Sequence, residues 1–327
     1  MNSATIVPKV TTIIPTYNQG QYLPFAVESA LAQDYENLEI IVSDNHSTDS
    51  TPDYLARVSD KRLRVIRPPE HLNMVDNFKF AFSQSKGDYC NFLCSDDILL
   101  PGFISKMVKV LDAHPTAAYA HCAAQIIDAE GKVIARERRV TGSYFRKGSE
   151  ELKRWVQGCS FVLQGVLIRR ACYEACGGMR GVTTVGDWVL GLRLAQVGDV
   201  VYHDEELVQY RAWDTGERKF RSIFYSLEGI KIYETIIADL LKSRPELTKY
   251  AQKGRKARAI GLARDIGRLY GQPQYPELVK KTLRLYDSPE VRLTLGLHDW
   301  GLTEGLFAAQ KAKLWLRQKV KALLYKS

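Results

Sequence analysis

No run in this 327-residue chain approaches the roughly 20 consecutive apolar residues that a membrane-spanning helix requires. The N-terminus, MNSATIVPKVTTIIP, lacks a basic patch followed by a sustained apolar stretch, so it does not read as a secretory signal, and the cytoplasm is the expected location. Cysteine is sparse and unpatterned. Cys90, Cys94, Cys122, Cys159, Cys172 and Cys176 include no CxxC pair and no histidine at finger-like spacing, which argues against structural zinc and leaves reduced core residues as the expectation. Glycine-rich phosphate loops are missing as well. There is no GxxxxGK[ST], and the first strand-like run leads into PTYNQGQY instead of GxGxxG, so neither a P-loop NTPase nor a dinucleotide oxidoreductase fits. No DNA- or RNA-binding module is recognisable, and nucleic acid is not an expected partner.

What is present is an ordinary globular composition, 45% hydrophobic and 25% charged, with an uneven charge. Residues 1–214 carry 23 Lys+Arg against 26 Asp+Glu, whereas residues 215–327 carry 23 against 11. The net charge of +9 therefore belongs to the C-terminal third, where it suits an anionic partner. A boundary is expected at DTGER, dividing residues 1–214 from a basic helical region, 215–327. In the last stretch, EGLFAAQKAKLWLRQKVKALLYKS, Ala309, Ala312, Leu316, Val320 and Leu323 share one helical face, away from Lys311, Arg317, Lys321 and Lys326. Such a helix either lies on an anionic membrane surface, which would make the protein peripheral at the inner face, or packs on its own domain.

The first half alternates β-type and helix-type segments. KVTTIIP, NLEIIVSD, LRVIRPP and DYCNFL read as strands, separated by the helical patterns QYLPFAVESALAQ, STDSTPDYLARVS and NMVDNFKFAFSQS. Strict alternation predicts a parallel sheet with helices on both faces. After Pro101 the pattern elaborates: a helix in FISKMVKVLDAH, strands in AAYAHCAAQIID, KVIARERRV and FVLQGVLIRR, a short helix in SEELKRWVQ, a helix in GDWVLGLRLAQVG, and a closing extended segment, DVVYHDEELVQYRAW.

In parallel sheets ligands collect beyond the carboxyl ends of the strands. Here three strands end in PTYN, SDNHSTD and CSDD, which gathers polar, acid-bearing loops at one edge. Asp96 and Asp97 close an apolar strand, where charge is tolerable only with a cation, a proton or a ligand. The alternative is a plain turn leading into Pro101.

Three stretches, TTIIPTYNQGQYLPFAVESALAQDYENLEIIVSDNHSTDST, GDYCNFLCSDDILLPGFI and VGDWVLGLRLA, in that order, resemble the inverting family 2 glycosyltransferases of the GT-A fold, from about Val10 to Arg211. The resemblance implies an α/β GT-A architecture, Rossmann-like with a mostly parallel central sheet, plus a C-terminal helical extension. It implies that Pro15, Thr16 and Tyr17 form the first nucleotide-contacting loop, that Asp44 accepts the N3–H of uracil, and that Asp96 contacts ribose or a metal-bound water. Asp97 would hold Mn²⁺ or Mg²⁺ against the donor diphosphate, and Asp187 would be the catalytic base, with capping of the helix DWVLGLRLAQ as the alternative or an added role. Cys94 and Ser95 stand where a further acid often occurs in the family, and Gly186 stands where many relatives carry an acid.

Less specific candidates are Asn73 and Asn77 for the donor pocket, with capping as the alternative, and Arg211, Arg218 and Lys219 for a cover over the diphosphate. His203 is expected to be structural. Asn45, Ser47 and Asp49 are expected to shape the loop after Asp44. The function implied is a metal-dependent, inverting, hexosyltransferase-type enzyme using a nucleotide-diphosphate sugar, with UDP the expected carrier. The acceptor would be a carbohydrate or a lipid-linked saccharide in bacterial surface polysaccharide assembly. The competing readings are a non-catalytic sugar-nucleotide-binding scaffold subunit and a sugar-nucleotidyltransferase.

Overall fold

The computed structural model describes residues 7–138, 140–182, 185–212 and 218–299, with the side chains of 218–222, 268 and 299 left aside. The chain divides into two compact units, Met1–Thr215 and Gly216–Ser327.

The first unit is built on β1 (Val10–Thr16), α1 (Leu23–Leu31), β2 (Leu38–Asp44), α2 (Thr51–Leu55), β3 (Leu63–Ile66), α3 (Met74–Ser83) and β4 (Tyr89–Phe92). There follow β5 (Ile98–Leu99), α4 (Phe103–Asp112), β6 (Ala117–Ile127), β7 (Val133–Glu137), β8 (Tyr144–Arg146), α5 (Gly148–Trp155), β9 (Val166–Arg169), α6 (Arg170–Ala175), α7 (Gly186–Val197) and β10 (Asp199–Arg211). The sheet runs β3-β2-β1-β4-β9-β6-β10-β5, with β7 added to β6 and β8 to β10. β1, β2, β3 and β4 are parallel neighbours; β9 runs against both β4 and β6, and β6 is parallel to β10. The mostly parallel sheet expected from the alternation is present. β1 and β2 are buried at every position, which is why they read as continuous β-branched runs instead of alternating ones. FVLQGVLIRR is only half a strand: Leu163–Gly165 forms a 3-10 turn, and pairing starts at Val166.

The register brings Thr16 level with Asp44 and Ile13 level with Phe92, so the ends of β1, β2 and β4 open onto one edge. The chain then reverses in Cys94–Asp97, because β5 pairs antiparallel with β10.

Helix α7 is buried nearly all round, as expected for a helix inside a protein. The Trp188 indole donates to the Trp155 carbonyl at 2.7 Å, and the Trp155 indole donates to the Tyr119 hydroxyl at 2.9 Å. Gly191 lies against the Trp155 ring, and a Cβ there would stand 2.0 Å from it. α7, α5 and β6 are thereby locked to one another, which fixes the position of the first turn of α7.

The second unit is helical: α8 (Arg218–Ile232), a π-helical turn at Tyr233–Ile237, α9 (Ala238–Ser243), α10 (Thr248–Ile266), α11 (Tyr275–Leu285) and α12 (Pro289–Asp299). Ala259, Leu262, Ala263 and Ile266 of α10 are buried, as are Leu278 and Leu285 of α11 and Val291 of α12. The basic amphipathic segment after residue 303 lies outside the described residues. Among the described residues, no helix is long and apolar enough to cross a membrane.

Gly191→Ala tests the lock. In an ordinary helix interior the change gains about 1 kcal/mol. Against Trp155 it should instead cost about 1–3 kcal/mol, as overpacking does, measured by urea unfolding. A stabilised variant would show that α7 is not held by this contact.

Candidate active site

The β1 and β2 loops are stitched together by side chains that accept from backbone amides. Asn18, in a left-handed conformation (φ 50°), accepts from the Thr48 amide at 2.8 Å, and its own amide donates to Ser47 Oγ at 2.9 Å. Asp49 accepts from the amides of Gly20 at 2.8 Å and Thr51 at 3.0 Å. Asn45 receives the Leu72 amide and donates to the Leu72 carbonyl, tying in the loop after β3. These bonds satisfy loop backbone that would otherwise rely on water.

Pro15 and Thr16 are buried at the end of β1, while Tyr17 is 48% exposed and meets His71 edge-on with ring centroids 4.6 Å apart. A flat ring is thus presented to solvent with its orientation fixed. Asp44 is buried, with Oδ1 on the Ser47 amide at 3.0 Å and Oδ2 on Arg67 Nη2 at 2.5 Å. Arg67 and His71 escaped the sequence reading. Arg67 was findable by the logic that selected the acids, since it follows directly on a parallel strand, β3.

At the end of β4, Asp97 is 1% exposed. Its Oδ1 accepts from the Arg211 amide at 2.8 Å, whereas its Oδ2 is buried with no hydrogen-bond partner among the described residues. Burial, and then the neighbouring Asp96 charge, hold the Asp97 carboxyl well above the usual carboxylate range, against the opposing Arg211 amide, Cys94 thiol and Arg211 charge. Cys94, Asp96 and Asp97 each place one ligand atom within 4.8 Å of the others. An orphaned, buried carboxylate oxygen in such a cluster fits a hard divalent cation that takes few protein ligands.

Two expected donor contacts are engaged elsewhere. The Arg211 guanidinium does not reach out as a cover. Nε donates to the Asp96 carbonyl at 2.9 Å, Nη1 donates to the carbonyls of Asp128 and Ala129 at 2.8 and 2.9 Å, and the group lies over the Tyr22 ring. It braces the acid loop from behind. Asn77 exchanges bonds with Ser43, accepting its hydroxyl at 2.6 Å and donating to its carbonyl at 3.1 Å, so it fixes the end of β2. Asn73 caps α3 by accepting the Asp76 amide. His203 sits 3.2 Å from Glu205, a surface pair on β10. The side chains of Arg218 and Lys219 lie outside the described ones.

Asp187 occupies the first turn of α7, after Val185, a β-branched residue in the left-handed region (φ 46°). Such a conformation is strained and is found where surrounding packing enforces it. Asp187 Oδ1 accepts from the Trp188 amide at 2.8 Å, and Oδ2 faces the Cys159 thiol at 3.5 Å. Burial raises its carboxyl above the ordinary value, and those two donors only partly offset the effect. Its charge adds to the raising of the Cys94 thiol, after burial and the nearer charges of Asp97 and Asp96. Gly186 has a steric reason: a Cβ there would lie 3.1 Å from Met179 Sδ.

Residues 11–176, just over half the chain, match the family described as Glycosyl transferase family 2. The chain belongs to this family. Its curated relatives include EpsE of Bacillus subtilis (strain 168), which carries a glycosyltransferase name and is 28% identical over 72% of this chain and 83% of its own. Among solved structures, S. aureus TarS 1–349 in complex with UDP-GlcNAc superposes with a TM-score of 0.56 at 14% identity, covering 90% of this chain and 92% of that one. The mannosyltransferase PcManGT from Pyrobaculum calidifontis, in complex with GDP-Man and Mn²⁺, gives 0.57 at 17% identity, covering 92% and 87%. At these identities the two structures speak for the fold, and the GT-A architecture is theirs and this chain's alike.

The raised Asp187 carboxyl makes a stability prediction. The folded state holds its proton up to a higher pH than the unfolded chain does. Wild-type stability is therefore lost as pH rises from the ordinary carboxylate range through the folded value. Asp187→Asn removes that loss, so its unfolding free energy should gain on wild type across this window, in urea titrations at a series of pH values. A difference independent of pH would show that Asp187 is not perturbed.

Proposed function

We propose that the chain is a metal-dependent, inverting glycosyltransferase that moves a sugar from a nucleotide-diphosphate donor, UDP being favoured, to a hydroxyl of a saccharide acceptor. The observation that carries the reading is the buried, unpartnered Oδ2 of Asp97 beside Asp96 and Cys94 at the edge where three parallel strands end.

On the donor side, Tyr17 offers an exposed ring for a base to lie on, and Asp44 offers an acceptor for a ring N–H. The Arg67 side chain is half-exposed whereas Asp44 is buried, so a base that displaces Arg67 must itself supply a hydrogen bond to the carboxylate. A base without an N–H at that edge would leave Asp44 without its ring donor, which gives the preference for uracil its physical basis. Asp97, with Asp96 beside it, would hold a divalent cation, which supplies charge stabilisation to the departing diphosphate. Arg211 keeps the Asp97 carboxylate in place through its amide and the loop in place through its guanidinium.

On the acceptor side, Asp187 takes the hydroxyl proton. Among the described residues Oδ1 accepts from the Trp188 amide, a strong donor, whereas Oδ2 faces the Cys159 thiol, a weak one, so Oδ2 is proposed as the atom that receives the proton. The acceptor oxygen then bonds to the anomeric carbon as the bond from that carbon to the diphosphate oxygen breaks. A single displacement with one base opposite one leaving group inverts the configuration. A raised carboxyl pKa favours this role, because a stronger base is poised nearer to working pH. The basic composition of residues 215–327 supports a lipid-linked acceptor at an anionic membrane surface, in bacterial surface polysaccharide assembly.

Calorimetric titration with UDP, GDP, dTDP and CDP, each with and without Mn²⁺, tests the donor assignment. UDP should bind with Mn²⁺ and lose most of its affinity in Asp97→Ala. Binding indifferent to Mn²⁺ or to that substitution would remove the metal assignment, and no binding of any nucleotide would move the scaffold reading to the front. Asp187→Asn should retain Mn²⁺-dependent UDP binding and lose transfer to a saccharide acceptor by at least about 100-fold, the lower end of what a positioned base contributes. A variant that transfers at the wild-type rate would sink Asp187 as the base.

A further inference from the structure

The acid cluster of this chain contains a sulfur. Cys94 is partly exposed, and its Sγ is one of three ligand atoms lying within 4.8 Å of one another, the others belonging to Asp96 and Asp97. The second observation is Asp97 Oδ2, an atom of a side chain 1% exposed that finds no hydrogen-bond partner among the described residues. The Arg211 guanidinium is engaged by the carbonyls of Asp96, Asp128 and Ala129 and not by this oxygen.

We propose that Cys94 is itself a ligand of the cation held at Asp97, and that the site consequently selects borderline cations such as Zn²⁺ and Co²⁺ over Mg²⁺. The inference rests on the reading of Asp97 as a cation ligand. Oxygen donors alone favour hard ions with little discrimination among them, whereas one thiolate shifts preference toward the softer end of the first-row series. Coordination replaces the thiol proton by the metal, so each ion bound through Cys94 releases one proton to solvent.

Cobalt reports the ligand directly, because thiolate coordination to Co²⁺ produces a near-ultraviolet charge-transfer absorption that oxygen ligands do not. The full chain, with and without UDP, is titrated with Co²⁺ and followed by absorbance and calorimetry, together with C94S, C94A, C159S and D97A. The expected result is one equivalent of Co²⁺ with the charge-transfer band in wild type and C159S. The band should be lost in C94S and C94A, which still bind the ion through oxygen, and both band and binding should be lost in D97A. Co²⁺ bound without the band, or a band that survives in C94S and C94A, overturns the role of Cys94 and leaves the Asp97 assignment standing. Failure of wild type to bind either Co²⁺ or Mn²⁺, with UDP present, overturns both.

Discussion

The site depends on one carboxylate that the protein only half satisfies. Asp97 is buried at the end of an apolar strand with one oxygen on a backbone amide and the other on nothing the described chain supplies. An orphaned buried acceptor costs on the order of 1–3 kcal/mol, more when charged. A fold tolerates that only if the arrangement is over-determined by its surroundings, and the surroundings here are dense. β5 pins the chain after the acids to β10, and Arg211 at the end of β10 returns to the same loop with its amide and its guanidinium. The same side chain holds the Asp128 and Ala129 carbonyls, so three separate stretches converge on it. The unmet need of Asp97 thus lies in a loop tied down from several sides.

Asp187 is built by a different method. Its position follows from helix packing, with α7 keyed into α5 through Trp188, Trp155 and Gly191, and its basicity follows from burial with one strong and one weak donor. Val185 enters the helix in a conformation that a β-branched residue avoids. The candidate base therefore sits where backbone strain at Val185, a close fit of Gly186 against Met179 and desolvation coincide.

Much of this was legible in the residues. Continuous β-branched runs separated by amphipathic segments gave away the parallel sheet, and the carboxyl-end rule gathered Thr16, Asp44 and Asp96 at one edge, where the register places them. The reversed strand β9 was not legible, because direction leaves no mark on a buried strand, and the 3-10 turn before it was hidden because Phe161–Leu163 is as apolar as the paired Val166–Ile168. The behaviour of Arg211 and Asn77 was hidden for a different reason. Their partners are set by tertiary contacts, 83 residues away for the Asp128 carbonyl and 34 for Ser43, and a polar side chain near a strand end looks the same whether it faces a ligand or a backbone carbonyl. Arg67 and Cys159 were overlooked because attention to acids leaves out the groups that modulate them.

The stitching of the β1 and β2 loops by Asn18, Asn45, Ser47 and Asp49 has a bearing on how such a protein can diverge. These bonds run among the loops proposed to take the nucleotide, while Asp187 hangs from a helix keyed to α5 and β6. The two parts of the candidate site share a sheet but not their supports. Under the proposed assignment, substitutions around α5 and α7 can accumulate without loosening those loops, and a lineage could change what it decorates while inheriting what it draws upon.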